Sequence, residues 1–126
     1  MVVLMKRMLL MMCALALVST TAWSRTSGQV VDIVAERFTF TPSEVKTTVG
    51  TTLTIRLTSD DTAHGFRLIG TNVSVEIPKR SRGATTVTFT PEEPGRYTFE
   101  CAKLCGAGHS FMRGVIIAEA PAVEPR

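Results

Sequence analysis

Four side chains that can bind a transition metal lie within twelve positions near the C-terminal end of the chain. They are Cys101, Cys105, His109 and Met112, in the segment CAKLCGAGHSFM. Two thiolates, an imidazole and a thioether form a soft donor set, which favours copper over magnesium, calcium or manganese. Zinc is the alternative, through two cysteines and one or two histidines, although zinc sites rarely recruit methionine.

The order of these residues predicts a loop that wraps around a metal at the rim of a β-structure. Cys101 follows Tyr97 and Phe99 at alternate positions, so its sulfur should point inward at the end of a strand. Gly106 and Gly108 allow the loop to turn tightly. The methionine of the segment falls just before the last predicted strand.

A further protein ligand should come from another part of the chain. His64 is the only other histidine, and it lies in the segment SDDTAHGF, at a predicted turn between two strands. A lone histidine is more often a surface or core residue than a ligand. Because a metal bound by the loop needs another nitrogen ligand, we expect His64 to be that ligand.

The elements that position these residues are predicted to be short strands separated by Pro and Gly turns. Leu53, Ile55 and Leu57 alternate with polar residues, which indicates a strand with one buried face. About seven such strands and no convincing helical periodicity predict an all-β protein, a Greek-key β-sandwich. The same alternation recurs at Phe38 and Phe40, at Val73, Val75 and Ile77, and at Val87 and Phe89, and residues 115–117 form a last apolar strand.

The composition is that of a folded domain, and it excludes some classes of partner. Hydrophobic residues make up 44% and charged residues 20% of the chain. The net charge of +3 falls to +1 without residues 1–24, because 12 basic and 11 acidic side chains then remain. Such a balance does not predict binding to nucleic acid or to another polyanion.

Residues 1–24 are predicted to be a cleavable signal peptide. Two basic residues precede an apolar run at residues 8–18, and Ala22 and Ser24 are small residues at the positions that an export peptidase reads. The run is shorter than the roughly 20 residues that span a bilayer, which favours cleavage over the alternative of an uncleaved membrane anchor. We therefore expect a periplasmic or otherwise exported protein.

The predicted domain boundaries follow the change in composition. Residues 25–29 are expected to form a short tether, residues 30–120 one copper-binding domain, and residues 121–126 a disordered tail. A mature chain of about 100 residues can bury a modest core of its own.

Two segments together resemble a known family. DTAHGF at residues 61–66 and the ligand segment at residues 101–112 are similar to the periplasmic copper domain of cytochrome c oxidase subunit II, which is a cupredoxin. The resemblance covers roughly residues 36–119. Single-copper blue proteins share the fold but use one cysteine in the loop, so the second cysteine implies a binuclear site.

The resemblance implies a mixed-valence, two-copper centre of the CuA type that transfers electrons. The expected partners are a redox donor and acceptor, such as a cytochrome or a terminal oxidase. No enzyme activity is expected, because the ligand set leaves no open position for a substrate. The implied ligands are the bridging sulfurs of Cys101 and Cys105, with His64 and Met112 on one copper and His109 and the Lys103 backbone carbonyl on the other.

Three departures set the chain apart from an oxidase subunit. Subunit II carries two membrane helices before its copper domain, whereas we expect only a leader here. It has a surface tryptophan that accepts electrons from cytochrome c, whereas the only tryptophan here is Trp23. It has a glutamate in the middle of the loop between the cysteines, where this chain has Lys103. We therefore expect a stand-alone, monomeric electron carrier.

Two other hypotheses use the same residues. A copper-handling protein, for delivery or resistance, could hold copper with these ligands. Alternatively, Cys101 and Cys105 could form a disulfide in an oxidising compartment, since Cys13 leaves with the leader. For the partner, the cations Lys103, Arg113 and Arg67 predict an acidic or neutral docking face rather than a basic cytochrome, whereas the carboxylates of Asp60 and Asp61 favour the opposite.

Overall fold

Alternating apolar and polar residues let each segment bury one face, and the chain folds into short strands accordingly. The computed structural model describes residues 28–123. Nine strands and one 3-10 turn form within these residues, and no α-helix does. In chain order they are β1 (Gln29–Glu36), β2 (Thr39–Thr41), β3 (Glu44–Thr48), β4 (Leu53–Ser59), β5 (His64–Leu68), β6 (Ser74–Ile77), β7 (Thr85–Phe89), β8 (Gly95–Glu100), the 3-10 turn (His109–Phe111) and β9 (Arg113–Glu119).

The strands form two sheets, with their apolar residues buried in one shared core. One sheet has the order β2-β1-β4-β7, and the other has the order β3-β9-β8-β5-β6. The pairs β1–β4 and β3–β9 are parallel, and the other pairs in these sheets are antiparallel. The predicted all-β sandwich is confirmed.

Three phenylalanines join the two sheets beneath the metal-capable residues. Phe40 on β2 lies 6.1 Å from Phe66 on β5 and 5.3 Å from Phe99 on β8, measured between ring centroids. The rings of Phe66 and Phe99 stack at 5.1 Å. Aromatic pairs of this kind contribute about 0.5–1.5 kcal/mol each beyond their area burial. His64 and Cys101 lie two positions from these phenylalanines, so they point toward the same interior.

Strand pairing moves two boundaries away from the predicted ones. Gln29, the last residue of the predicted tether, belongs to β1 because it pairs with Leu53 on β4. His64, predicted to lie in a turn, is the first residue of β5 because it pairs with Ile77 on β6. In both cases, a partner distant in the sequence supplies the hydrogen bonds that extend the strand.

The predicted signal segment at residues 1–24 lies outside the described residues, as do residues 124–126 of the predicted tail. Residues 121–123 are exposed and have no regular secondary structure. Within residues 28–123, no helix is long and apolar enough to cross a membrane.

Candidate metal centre

Strand pairing brings the two metal-capable segments to one end of the five-stranded sheet. β5 and β8 are antiparallel, with Arg67 opposite Glu100. If this pairing is extended toward His64, the first residue of β5, it places His64 beside the residues that follow Glu100 at the end of β8. His64 and Cys101 therefore meet, although 37 positions separate them in the sequence.

The two cysteine sulfurs lie side by side at the middle of this end. The Sγ atoms of Cys101 and Cys105 are 3.7 Å apart, and each residue is 5% exposed. A disulfide requires about 2.05 Å, so the structure contains two thiols and not the disulfide of the alternative hypothesis. Because metal–thiolate bonds are about 2.3 Å long, two sulfurs at this separation can bind the same metal ion.

Three groups surround the sulfur of Cys101. The thiol donates to the backbone carbonyl oxygen of Lys103 at 3.1 Å, and Nδ1 of His64 lies 3.9 Å away. The backbone N–H of Gly65 donates to the same sulfur at 3.5 Å. His64 is fully buried, so its ring is shielded from competing water.

Two further donors lie beside the sulfur of Cys105. Nδ1 of His109 is 3.7 Å away and Sδ of Met112 is 3.9 Å away. The 3-10 turn brings them together, since the backbone N–H of Met112 donates to the carbonyl of His109 at 3.2 Å. Met112 is fully buried, whereas His109 is partly exposed and gives the centre an edge toward solvent.

The structure thus places every predicted site residue at one centre. Ligand atoms of His64, Cys101 and Cys105 all lie within 4.8 Å of one another. The donor set is two soft thiols, two imidazoles, one thioether and one carbonyl, which suits copper better than a hard cation. The residues at the centre are His64, Cys101, Lys103, Cys105, His109 and Met112.

Asp61 orients His64, a role that the sequence did not reveal. Its Oδ1 lies 2.6 Å from Nε2 of His64, and its Oδ2 accepts from the backbone N–H of Arg37 at 3.1 Å. Burial raises the pKa of Asp61, but the hydrogen bonds from His64 and from backbone N–H groups outweigh this effect and lower the pKa to about 2. The resulting carboxylate can accept a hydrogen bond from Nε2–H of His64, which leaves Nδ1 free to bind a metal.

Gly65 and Arg37 are two other residues at the centre that sequence reasoning missed. A Cβ atom on Gly65 would lie 2.7 Å from the backbone nitrogen of Lys103, so the ligand loop lies directly against β5. Nε of Arg37 donates to the backbone carbonyl of Cys105 at 2.7 Å. The only sequence signal for Asp61 and Gly65 was their place in DTAHGF, and Arg37 had none.

Three of the cations around the centre are paired with carboxylates. Nζ of Lys103 lies 2.8 Å from Oε2 of Glu76, and Arg67 and Arg113 both contact Glu100. The sequence prediction counted these cations as charges that would repel a basic cytochrome. Two carboxylates offset three cations, so the structure weakens that expected repulsion. The pairing was hidden because Glu76 is 27 positions from Lys103.

A β-sandwich with a Cys, Cys, His and Met loop at one end and a buried histidine from a second segment is a cupredoxin arrangement. The family described as Cupredoxin-like domain matches residues 7–118. The chain therefore belongs to the cupredoxin-like family.

Within this family, the comparisons point to oxidase subunit II. Cytochrome c oxidase subunit 2 of Thermus thermophilus is 34% identical over 89 residues, which cover 71% of this chain and 64% of that relative. This chain therefore spans less than two thirds of the relative's length. These matches confirm the resemblance to the subunit II copper domain.

Two solved structures are similar to the chain in fold. A heme-copper terminal oxidase dimer contains a chain with a TM-score of 0.64 and 26% identity, over 94% of this chain and 92% of that one. The periplasmic domain of subunit II of cytochrome oxidase from Bradyrhizobium japonicum has a TM-score of 0.66 over 73% of this chain and 84% of that one. At 16% identity, the second structure supports the fold alone.

Proposed function

We propose that the chain carries a binuclear, mixed-valence copper centre of the CuA type and passes single electrons between redox partners. The observation that carries this proposal is the pair of unbonded, buried cysteine sulfurs 3.7 Å apart. A single-copper blue site uses one thiolate, so the second buried thiol supports a site for two metals. Copper bound there supplies a reversible one-electron couple.

The distribution of the donors supports sharing of both sulfurs. We assign His64 and Met112 to one copper, and His109 with the Lys103 carbonyl to the other. In each pair, one donor lies beside the sulfur of Cys101 and the other beside the sulfur of Cys105. His64 and the Lys103 carbonyl are the donors beside Cys101. Met112 and His109 are the donors beside Cys105. Such a pair suits a metal that is bound to both sulfurs at once.

The protein contributes rigid positioning of these donors. His64 begins β5, Cys101 follows β8 and Met112 precedes β9, and these are three consecutive strands of one sheet. The close-packed core below them resists movement when charge changes. A site that moves little exchanges electrons with a small reorganisation energy. Hydrogen bonds to the ligands, such as the one from the Gly65 N–H to the sulfur of Cys101, tune the reduction potential of such a site.

The surface beside the centre supports docking of a redox protein. Leu104 and Phe111, both in the ligand loop, are 81% and 82% exposed. Large apolar side chains held in water next to a functional centre are typical of a protein-binding surface. We propose that a cytochrome or a terminal oxidase docks here, in the cell envelope, on an exported monomer whose residues 1–24 act as the signal.

Reconstitution of the mature protein with copper tests the proposal. We expect two coppers per chain and an electron paramagnetic resonance spectrum in which one unpaired electron couples equally to two copper nuclei. Zinc-loaded protein serves as the control for the fold and should give no such signal. A single copper per chain, or coupling to one nucleus, would show that the centre is not binuclear.

Copper should leave the protein slowly even when a strong chelator is present. Release requires breaking bonds to both bridging sulfurs, in a site built on three strands of a packed sandwich. We expect the absorbance of the centre to persist through repeated oxidation and reduction in the chelator's presence. A protein that cycles poorly and transfers copper rapidly to an apo-acceptor would instead be a copper-handling protein.

Copper affinity should rise with pH, because binding displaces a proton from Cys105. Burial raises the pKa of the Cys105 thiol to about 11, and the neighbouring Cys101 adds to the rise. The thiol is therefore protonated below pH 11 and must ionise to bind metal. Competition titrations between pH 7.5 and 9 should show up to about a tenfold gain per pH unit from this proton. Affinity independent of pH over that range would show that Cys105 is not a ligand.

Lys103→Ala should leave copper binding nearly intact, whereas Lys103→Pro should impair it. Only the backbone carbonyl of Lys103 faces the sulfur, and its exposed ion pair with Glu76 contributes at most about 1 kcal/mol. Proline restricts φ and would reshape the loop between the cysteines. Copper content and affinity of the two variants provide the measurement. If the alanine variant loses copper, the Lys103 side chain has a direct role in the site.

A further inference from the structure

The turn between β1 and β2 contacts both the cysteine loop and the histidine segment of the centre, although it supplies none of the proposed ligands. Nε of Arg37 donates to the carbonyl oxygen of Cys105 at 2.7 Å, across 68 positions of sequence. The backbone N–H of the same residue donates at 3.1 Å to Asp61, whose other oxygen lies 2.6 Å from His64. Arg37 is therefore linked to the cysteine loop by its side chain and to the histidine segment by its backbone.

The neighbouring Phe38 forms a flat support for the same loop. A Cβ atom on Gly108 would lie 2.3 Å from the Phe38 ring, and one on Gly106 would lie 2.9 Å from it. The loop after Cys105 therefore rests directly on the ring, and only glycine permits this approach. Arg37 and Phe38 together hold residues 105–108 against the β1–β2 turn.

The charge of Arg37 also acts on the centre. Its guanidinium lies one hydrogen bond from the main chain of Cys105. Because reduction lowers the positive charge of a metal centre, a cation at this position favours the reduced form.

We propose that Arg37 is a positioning residue that orders the cysteine loop before metal binds and raises the reduction potential of the loaded centre. The ordering concerns the metal-free protein, whereas the effect on the potential rests on the proposed copper centre. Because the link to Asp61 uses the backbone, side-chain variants of Arg37 leave that link in place.

Three substitutions separate the hydrogen bond from the charge. Arg37→Met removes both, Arg37→Gln keeps a donor without charge, and Arg37→Lys keeps the charge with a different donor. Arg56→Met is the matched control, because Arg56 is exposed on β4, where it pairs with Asp32 at 3.3 Å, and the change in net charge is the same. If Arg37→Met folds poorly, Arg37→Gln still tests the effect of the charge.

The first measurement uses copper-free, reduced protein. Hydrogen–deuterium exchange of residues 105–108 and the alkylation rate of Cys105, mapped by mass spectrometry, report the order of the loop. We expect both to increase about fivefold in Arg37→Met, because the carbonyl loses a charged donor, and to change little in Arg56→Met. Equal rates in these two variants would overturn the ordering role.

The second measurement uses the copper-loaded protein. We expect the one-electron equilibrium to shift about threefold to tenfold toward the oxidised form in Arg37→Met and Arg37→Gln, where tenfold corresponds to about 59 mV. Arg37→Lys should stay near the unmodified protein. Equal potentials in Arg37→Met and Arg37→Lys would overturn the electrostatic role. If the unmodified protein binds no copper, the proposed function fails, and the copper-free measurement still decides the ordering role.

Discussion

Replacing Cys105 with serine is expected to reduce the copper content from two ions per chain to one and to abolish the delocalised spectrum. The sulfur of Cys105 lies 3.7 Å from the sulfur of Cys101, 3.7 Å from Nδ1 of His109 and 3.9 Å from Sδ of Met112. Serine keeps the size of the side chain but replaces a soft thiolate with a hard, neutral hydroxyl. One thiolate, two histidines and a methionine would remain, which is the donor set of a single-copper site.

Copper per chain and the electron paramagnetic resonance spectrum, measured on the same sample, check this result. Ala107→Ser is the matched control, because it adds a hydroxyl to the exposed part of the same loop and leaves both sulfurs in place. We expect the control to keep both coppers. The bridging role of Cys105 would be wrong if its serine variant also kept two coppers and the unmodified spectrum.

Gly65→Ala is expected to damage the fold and the metal centre together. The added Cβ would lie 2.7 Å from the backbone nitrogen of Lys103 and 2.8 Å from backbone atoms of Ala102. Backbone atoms cannot rotate away as a flexible side chain can, so either β5 or the ligand loop must shift. Overpacking of this kind lowers the free energy of unfolding by about 1–3 kcal/mol. The shift would also displace the Gly65 N–H from the sulfur of Cys101.

Chemical unfolding of the copper-free protein measures the first effect, and a copper titration measures the second. Gly28→Ala is the control, since the nearest heavy atom to its added Cβ would be 3.9 Å away, at an ordinary contact distance. We expect at least about a tenfold loss of copper affinity in Gly65→Ala, equivalent to about 1.4 kcal/mol, and almost none in the control. Unchanged stability and copper uptake in Gly65→Ala would mean that the loop does not press on β5.

Local patterns predicted the all-β class, several of the strands and the composition of the donor set, although the structure has nine strands within residues 28–123 where about seven were predicted. Leu53, Ile55 and Leu57 alternate with polar residues, and the structure buries all three on the inner face of β4. Alternation reports which face of a strand is buried, and it does so within a few residues. Cys101 and Cys105 lie close in sequence, so their proximity in space follows from the short loop that joins them.

The supporting residues could not be predicted in this way. Asp61 was visible only as a neighbour of His64, and its backbone partner Arg37 lies 24 positions earlier in the chain. Glu76, which pairs with Lys103, and Glu100, which pairs with Arg67, are brought to the centre by strand pairing. A residue's charge is evident from the sequence, but whether a carboxylate offsets that charge depends on which strand lies beside it.

The sequence by itself therefore determined an all-β fold and a soft ligand loop, because residue types and short spacings indicate both, and the class of protein followed from the resemblance of two short segments to the subunit II copper domain. Tertiary structure alone decided how the centre is held. Pairing of β5 with β8 brings His64 to Cys101, and the β1–β2 turn reaches Cys105 across 68 positions. The physical reason is that periodicity describes the burial of one strand at a time. Which strands become neighbours depends on the packing of the whole sandwich, which no local pattern records.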